Sequence, residues 1–336
     1  MSKIAVIGSG AWGTAIAASL AHRGGHSITL WSHTPAIAEA IQSTGENTVY
    51  LPGFLLPVSI ATTSDLATAV KDAEIIVGVM PSSQVRAVYE RMTPHLQPGQ
   101  LLISATKGIE DGRSLRMSEV IAEVLTAHSL ALPCAVLSGP SFAQEVVAGS
   151  PTALTIAASD LAVAAHLQRE FASPTLRLYT NDDVVGVELG GALKNGIALA
   201  TGVIAGLELG QNSAAALITR GIAEVTRLAV ACGGRRETLA GLAGLGDLVL
   251  TCTGSLSRNR RVGVELGRGR ALPEILAAMG GKVAEGVGTT SAALGLARRQ
   301  GVEMPITEQV DAILHRGKRP LAAARDLMGR PGKEEF

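Results

Sequence analysis

The chain is poor in cysteine and in aromatic side chains: three Cys, and 3% Phe, Trp and Tyr, in 336 residues. Cys134, Cys232 and Cys252 are odd in number and far apart, so neither a disulfide framework nor a CxxC zinc pattern is available. That usage suits a reducing compartment, and a cytoplasmic location is expected. Charge of one sign is also lacking. Lys and Arg number 29, Asp and Glu 29, which removes any overall attraction to nucleic acid or to an anionic membrane. Met-Ser-Lys runs directly into a strand pattern, without the basic, apolar and small-residue regions of a secretory leader. The most apolar long stretch, Leu189 to Leu207, contains Lys194 and Asn195 and is rich in Gly and Ala. It reads as a buried helix, and no stable membrane insertion is expected. His22 and His26 are four apart, but Gly24 and Gly25 lie between them, so no helical metal pair and no metal site is expected. GxSxG elbows and Walker loops are missing.

Apolar residues make up 47% and charged residues 17%, the balance of a folded globular protein rather than a disordered one. The length is large for one core, so two domains are expected. From residue 3 to 180 short apolar runs alternate with helical patterns. Strands are expected at 3–7, 27–31, 58–61, 74–79, 100–105, 134–138, 152–158 and 176–180, and helices at 11–23, 64–71, 82–93 and 114–127. A further helix after residue 159 has Ser159 as its expected cap. Such alternation argues for βαβ units and a mainly parallel sheet. Beyond about 181 the strand signals stop, and 184–232, 257–268, 272–279 and 289–300 read as helices. The boundary falls near Thr180–Asn181, dividing a 1–180 α/β domain from a 181–336 all-α domain.

The opening "IAVIGSGAWGT" places Gly8, Gly10 and Gly13 between an apolar strand and a helix. A strand that turns into a helix so abruptly needs glycine. The same spacing is the dinucleotide fingerprint, in which backbone approaches a pyrophosphate at a helix N-terminus. In that context the first half is expected to be a Rossmann-like doubly wound sheet. The expected cofactor loop is Gly8, Ser9, Gly10, Ala11, Trp12 and Gly13. The second strand ends in Trp31-Ser32-His33 without the carboxylate that an NAD-selective site places there. That absence removes repulsion against a 2′-phosphate, and Ser32 or His33 is available to bond to one. NADPH is therefore expected to be accepted as well as NADH.

Three loops follow apolar strands on the edge where open α/β sheets bind ligands: "MPSS" with Pro81, "ATKG" with Lys107, and "SGPS" with Gly139 and Ser141. A lysine beside a cofactor there can bind a phosphate or a carbonyl; a solvated surface lysine is the plainer reading. In "VELGGALKNGIALATG" Lys194 has Gly190, Gly191, Ile197 and Ala198 as its helical neighbours, a small and apolar surround. Burial there weakens the preference for the charged form and suits proton exchange near neutral pH, although a snorkelling lysine fits the same pattern. Asn195 offers a donor and an acceptor. In "GLAGLGDLVLTCTGSLSRNRR" Asp247 reads as a helix cap sharing a face with Thr251. Ser257, Arg258 and Asn259 open a cationic run suited to phosphate, or to plain solvation.

These motifs, in this order, resemble the NAD(P)-dependent glycerol-3-phosphate dehydrogenase family of bacterial type. The stretches that carry the likeness are "GSGAWGT", "ATKGIE", "SGPSFAQEV", "GVELGGALKN", "LITRGIAE", "GLAGLGDLVLTCTGSLSRNRR", "VAEGVGT" and "VEMPITEQV", spread over nearly the whole chain. The resemblance implies reversible reduction of dihydroxyacetone phosphate to sn-glycerol 3-phosphate by NADH or NADPH, a precursor step for phospholipids. It implies Lys194 as proton donor and acceptor, Lys107 in contact with cofactor and substrate, and Asp247 and Thr251 completing the polar network. Arg258 and Asn259 would hold the substrate phosphate, with Arg258 also near the cofactor. Gly139, Ser141 and Ala143 would line the cleft, and Trp12, His33 and Tyr50 the nucleotide side. Val283 and Glu285 would reach the cofactor from the second domain. A dehydrogenase of another small hydroxy acid or sugar acid, and a dinucleotide-binding sensor without turnover, are the rival readings. The small-residue helix around Lys194 suggests a homodimer.

Overall fold

A computed structural model describes residues 1–280, 284–332, 334 and 335. Its first half alternates as β1 (Ser2–Ile7), α1 (Ala11–Arg23), β2 (His26–Trp31), α2 (Pro35–Thr44), β3 (Ile60–Thr63), α3 (Leu66–Val70), β4 (Ile75–Gly78), α4 (Val85–Met92), β5 (Leu101–Ser104), α5 (Met117–Ala127), β6 (Cys134–Ser138), α6 (Ala143–Val147), β7 (Thr152–Ala157), α7 (Leu161–Phe171) and β8 (Leu176–Asn181). The strands form one sheet in the order β3-β2-β1-β4-β5-β6-β7-β8. Every neighbouring pair is parallel except β6 with β7. The chain moves outward from β1 to β3 and returns to β4 on β1's other side. That reversal is the switch point at which such sheets leave a crevice beyond the strand ends. Ile4 to Ile7 and Ile75 to Val77 are buried, because helices cover both faces of the sheet. Ile16, Leu20 and Phe171 pack on one face and Trp31, Tyr89 and Ile121 on the other.

Local departures from the expected elements have identifiable causes. The third strand begins at Ile60 rather than 58, because the Ile60 amide first closes a turn onto the Pro57 carbonyl at 3.1 Å. The helix expected from 114 starts at Met117. Ser114 has φ 51, and Ile109 and Arg116 pair across a bridge. The cap of α7 is Asp160, not Ser159; its carboxylate accepts from the Ala162 amide at 2.8 Å. Helix α2, with proline in its first turn, was not anticipated.

The second half is helical: α8 (Val184–Gly206), α9 (Gly210–Ala231), α10 (Arg236–Leu239), α11 (Asp247–Thr253), α12 (Arg258–Gly267), α13 (Leu272–Ala277), α14 (Gly286–Arg299), α15 (Pro305–His315) and α16 (Pro320–Met328). The run expected at 184–232 is two helices, broken where Glu208 takes φ 57 and Gly210 φ 85. Helix α14 begins at Gly286 instead of 289, and the proline-initiated α15 and α16 were not anticipated.

Helix α8 runs through the middle of this half. Asp183 caps it, accepting from the Gly186 and Arg235 amides at 2.8 Å each. It is long and apolar enough to cross a membrane, but 83% of its most apolar window is buried within the chain. Its C-terminal half meets α12 backbone to backbone. A Cβ on Gly202 would lie 2.1 Å from the Arg260 carbonyl oxygen, and one on Gly206 2.2 Å from that of Val264. Reciprocally, a Cβ on Gly263 would lie 2.1 Å from the Leu199 carbonyl oxygen, and one on Gly267 2.6 Å from that of Val203. Side chains ordinarily hold packed helices 8–10 Å apart; two glycines per helix allow this closer seam. The small residues in this part of α8 are thus engaged inside the chain.

Candidate active site

The glycine loop lies between β1 and α1. Gly8 has φ +126, and a Cβ there would meet the Val79 carbonyl oxygen at 2.0 Å; a Cβ on Gly13 would meet the Gly8 carbonyl oxygen at 1.9 Å. Gly10 stands at the helix N-cap with nothing within 4 Å of its Cβ position. No side chain caps α1 and no acidic residue occupies its first turn. The first amides of a helix have no partners inside it, so this end presents N–H groups and positive potential to an anion. The Trp12 indole Nε1 is also buried without a partner among the described residues. A loop that admits close backbone approach, an uncapped helix start and an orphaned donor fit a dinucleotide diphosphate. Behind the loop the Asn47 amide donates to the Ser9 carbonyl at 2.7 Å and to Thr14 Oγ1 at 2.8 Å, and its Oδ1 accepts from the Tyr50 amide at 3.1 Å. Asn47 went unnoticed in the sequence, since an asparagine in a polar loop carries no local mark.

The structure alters the reading of Ser32. Its hydroxyl is buried, accepts from Ser9 Oγ at 2.8 Å and donates to the Thr34 carbonyl at 3.1 Å. It braces the glycine loop and is not free for a 2′-phosphate. His33 is exposed and is the side chain left for that position. Ala143 opens α6 and packs with Trp12 and Leu51 beneath the loop; Tyr50 is half-buried nearby.

Loops carrying Pro81, Lys107 and Gly139 leave the carboxyl ends of β4, β5 and β6 on one edge. Here the two halves meet. Lys107 Nζ donates to the Gly139 carbonyl at 2.9 Å and to Asp247 Oδ2 at 2.7 Å. Lys194 Nζ donates to Asp247 Oδ1 and to Thr251 Oγ1, each at 2.6 Å. Ser141 Oγ donates to the same Gly139 carbonyl at 3.1 Å. Asp247 is therefore not a helix cap: Gly246 takes that position, and the Asp247 side chain, 1% exposed, joins two ammonium groups. A one-turn π-helix over Leu242–Gly246 delivers it there, a distortion often found at functional sites. Lys194 does not sit among apolar groups alone. Burial and the nearby Lys107 push its ammonium down, Asp247 pulls it up, and the balance leaves it at about 8. Gly190 and Gly191 serve approach: a Cβ on Gly190 would lie 2.6 Å from the Ala243 carbonyl oxygen, and one on Gly191 2.3 Å from Ser138 Oγ. Ser138 Oγ is buried without a partner.

Ser257 caps α12, accepting from the Arg260 amide at 3.2 Å, and Arg258 at the helix start is exposed. Asn259 Nδ2 donates to Asn195 Oδ1 at 2.9 Å, and Asn259 Oδ1 accepts from the Gly286 amide at 3.0 Å. Next to Gly286, Glu285 Oε2 accepts from Ser82 Oγ at 3.1 Å. Burial pushes the Glu285 carboxyl up, while Ser82 and the nearby Arg258 pull it down. Ser82 in turn packs on Gly108, beside Lys107. These contacts close a ring: Lys107, Asp247, Lys194, Asn195, Asn259, Gly286, Glu285, Ser82 and back to Gly108. It crosses between the halves twice, at Lys107–Asp247 and at Ser82–Glu285. Ser82 lies in the "MPSS" loop that the sequence places on the ligand-binding edge, although Pro81 is the residue named there. Val283 lies outside the described residues.

A sequence model described as the NAD-dependent glycerol-3-phosphate dehydrogenase N-terminus matches residues 3–164, and its C-terminal counterpart matches residues 183–325. The chain is similar to the glycerol-3-phosphate dehydrogenase [NAD(P)+] of Acidobacterium capsulatum, 63% identical with 100% of each chain covered. It is 57% identical to that of Koribacter versatilis, covering 100% of this chain and 99% of the other. Among solved structures, it resembles the glycerol-3-phosphate dehydrogenase of Coxiella burnetii at a TM-score of 0.93 and 41% identity, covering 98% of this chain and 99% of that one.

Proposed function

This chain belongs to the NAD-dependent glycerol-3-phosphate dehydrogenase family, and from that premise we propose that Lys194 gives a proton to, and takes it from, the oxygen at the reacting carbon. The enzyme interconverts dihydroxyacetone phosphate and sn-glycerol 3-phosphate with NADH or NADPH, a step that supplies glycerophospholipid synthesis. The rival readings, a dehydrogenase of another hydroxy acid or sugar acid and a sensor without turnover, fall away with the family assignment.

The observation that carries the role of Lys194 is its sharing of Asp247 with Lys107 at 2.6 and 2.7 Å. When bound, the nicotinamide cofactor supplies or accepts the hydride. Reduction leaves negative charge on the former carbonyl oxygen, and a buried ammonium beside it stabilises that charge. A group near 8 is matched to proton transfer in both directions at cellular pH. Asp247 and Thr251 aim the amine, and Lys107 contacts substrate and cofactor from the sheet edge with Gly139 and Ser141. Arg258 through its guanidinium fork, and the main-chain amides at the start of α12 around Ser257 and Asn259, hold the substrate phosphate, while Asn195 and Gly286 fix the Asn259 side chain behind them. Gly8, Ser9, Gly10, Ala11, Trp12 and Gly13 hold the cofactor diphosphate. His33 and Tyr50 face the adenosine end, and Pro81, Ala143, Glu285 and Arg258 the remainder. Two halves joined across the ring exclude water during transfer.

We assign residues 1–180 to cofactor binding and 181–336 to substrate binding and proton transfer. We also infer an enzyme that does not insert in a membrane, because α8 is part of the core, and, from the cysteine usage, one that works in the cytoplasm. The test is steady-state kinetics with dihydroxyacetone phosphate and each cofactor, on wild type and Lys194→Ala. A loss of turnover of several hundredfold or more is expected, on the order of general acid–base catalysis. Near-normal turnover would remove Lys194 from this role.

A further inference from the structure

Six residues before Lys194, on the same helix, α8 carries a second charged side chain that the proposed mechanism does not use. Glu188 is 3% exposed. Its Oε1 accepts from the Ser118 amide at 2.7 Å, and its Oε2 accepts from Ser118 Oγ at 2.7 Å and from Arg116 Nη1 at 2.9 Å. Arg116 and Ser118 belong to the capped start of α5, in the other half of the molecule: the Arg116 amide donates to Glu119 Oε2 at 2.8 Å, and Arg116 Nη2 pairs with Glu119 Oε1 at 2.9 Å. Cys134 also faces this carboxylate.

Glu188, Gly191 and Lys194 follow one another at intervals of three, so they form a slowly winding stripe along α8. Two of its members contact the first half directly, and the third reaches it only through Asp247. Glu188 meets α5, Gly191 fits against Ser138 at the end of β6, and Lys194 reaches Asp247, which Lys107 also holds. A buried carboxylate is a costly way to fill space, and an apolar residue of similar size often stabilises as well or better. What three directed bonds provide, and apolar packing does not, is a fixed rotation of the helix about its axis. At a side-chain radius of roughly 6 Å, a rotation of about 10° displaces a side-chain tip by about 1 Å, and misplacement on that scale can cost about a hundredfold in rate.

We propose that Glu188 is a positioning residue: through Arg116 and Ser118 it sets the rotation of α8 against the first half, and so the approach of Lys194 to the reacting oxygen. The inference rests on the role given to Lys194 above. Charged and titratable groups facing Lys194 are Asp247, Lys107 and Cys252. Glu188 bonds to Ser118 and Arg116 and not to Lys194, so its replacement is expected to act on Lys194 by geometry.

The experiment compares Glu188→Leu, Glu188→Gln and Arg116→Ala with wild type and Lys194→Ala. It measures thermal unfolding, cofactor affinity by fluorescence, and kcat and KM across pH. Glu188→Leu is expected to stay folded and to bind cofactor within threefold of wild type, while kcat falls about a hundredfold and KM for dihydroxyacetone phosphate changes less than threefold. Glu188→Gln, which keeps one acceptor, should lose about tenfold, and both should shift the apparent pKa of turnover because Lys194 no longer seats against Asp247. Arg116→Ala leaves Glu188 in place and should reproduce the kcat loss even if Glu188→Leu fails to fold. Turnover within twofold of wild type in the folded variants, or a loss matched by unfolded protein, overturns the inference. If Lys194→Ala retains turnover, it is the role of Lys194 that fails instead.

Discussion

Lys107 and Lys194, from opposite halves of the chain, each hold a different oxygen of the Asp247 carboxylate, at 2.7 and 2.6 Å. One carboxylate therefore keeps two ammonium groups in the same small volume. Replacing Asp247 with asparagine would leave both amines without their counter-charge and remove the main influence that raises Lys194. Asp247→Asn is expected to lower turnover by about a hundredfold or more, the scale of a disabled acid–base group. It should also move the residual activity to lower pH. Unchanged kinetics from pH 6 to 9 would show that the carboxylate does not organise the site.

The proton inventory gives opposite pH responses in the two directions. Burial places Lys194 near 8, so the ammonium that reduction needs is present below about 8 and is lost as pH rises through it. The free amine that oxidation needs appears over the same interval. Reduction of dihydroxyacetone phosphate should fall above about pH 8, and oxidation of sn-glycerol 3-phosphate should rise. Profiles of kcat recorded in both directions check this, and parallel profiles would contradict it.

Two glycine substitutions separate crowding from backbone preference. A Cβ on Gly202 would come within 2.1 Å of a backbone oxygen, whereas Gly288, also helical, has nothing within 4 Å of its Cβ position among the described residues. Gly202→Ala should lose about 1–3 kcal/mol, the usual cost of overpacking. Gly288→Ala should be neutral or gain roughly 0.5–1 kcal/mol from helix preference. Denaturant unfolding of both variants provides the comparison.

With Ser32 engaged by Ser9 and Thr34, exposed His33 is the side chain expected to discriminate at the adenosine ribose. A carboxylate there would repel a 2′-phosphate and accept from a 2′-hydroxyl. His33→Asp is expected to lower kcat/KM for NADPH by about tenfold or more and to leave that for NADH within a fewfold. Equal losses with both cofactors would place the discrimination elsewhere.

Much of this was legible in the sequence because it is local. The glycines of the first turn, the strand-end loops and Lys194 within a small-residue helix all announce themselves within a dozen residues. The shared carboxylate does not. Asp247 lies 53 residues from Lys194 and 140 from Lys107, and its own neighbourhood reads as a helix cap. Ser32 failed for a similar reason: its position suits a ribose, but its hydroxyl is engaged by a loop 23 residues earlier. Helices α2, α15 and α16 escaped because each is short and opens on a proline, which reads first as a turn. The paired glycines of α8 and α12 stand in plain view, yet nothing local says that they face each other.

That glycine seam has a consequence for substrate choice. It welds the helix that carries Lys194 to the helix that begins at Arg258, so the gap between amine and guanidinium-bearing turn is set by main-chain contact, which hardly yields. Movement of the nucleotide half leaves the gap unaltered. With the roles proposed for Lys194 and Arg258, the helical half would work as a calliper whose opening is fixed before substrate arrives, sorting ligands by the distance between their carbonyl and their phosphate.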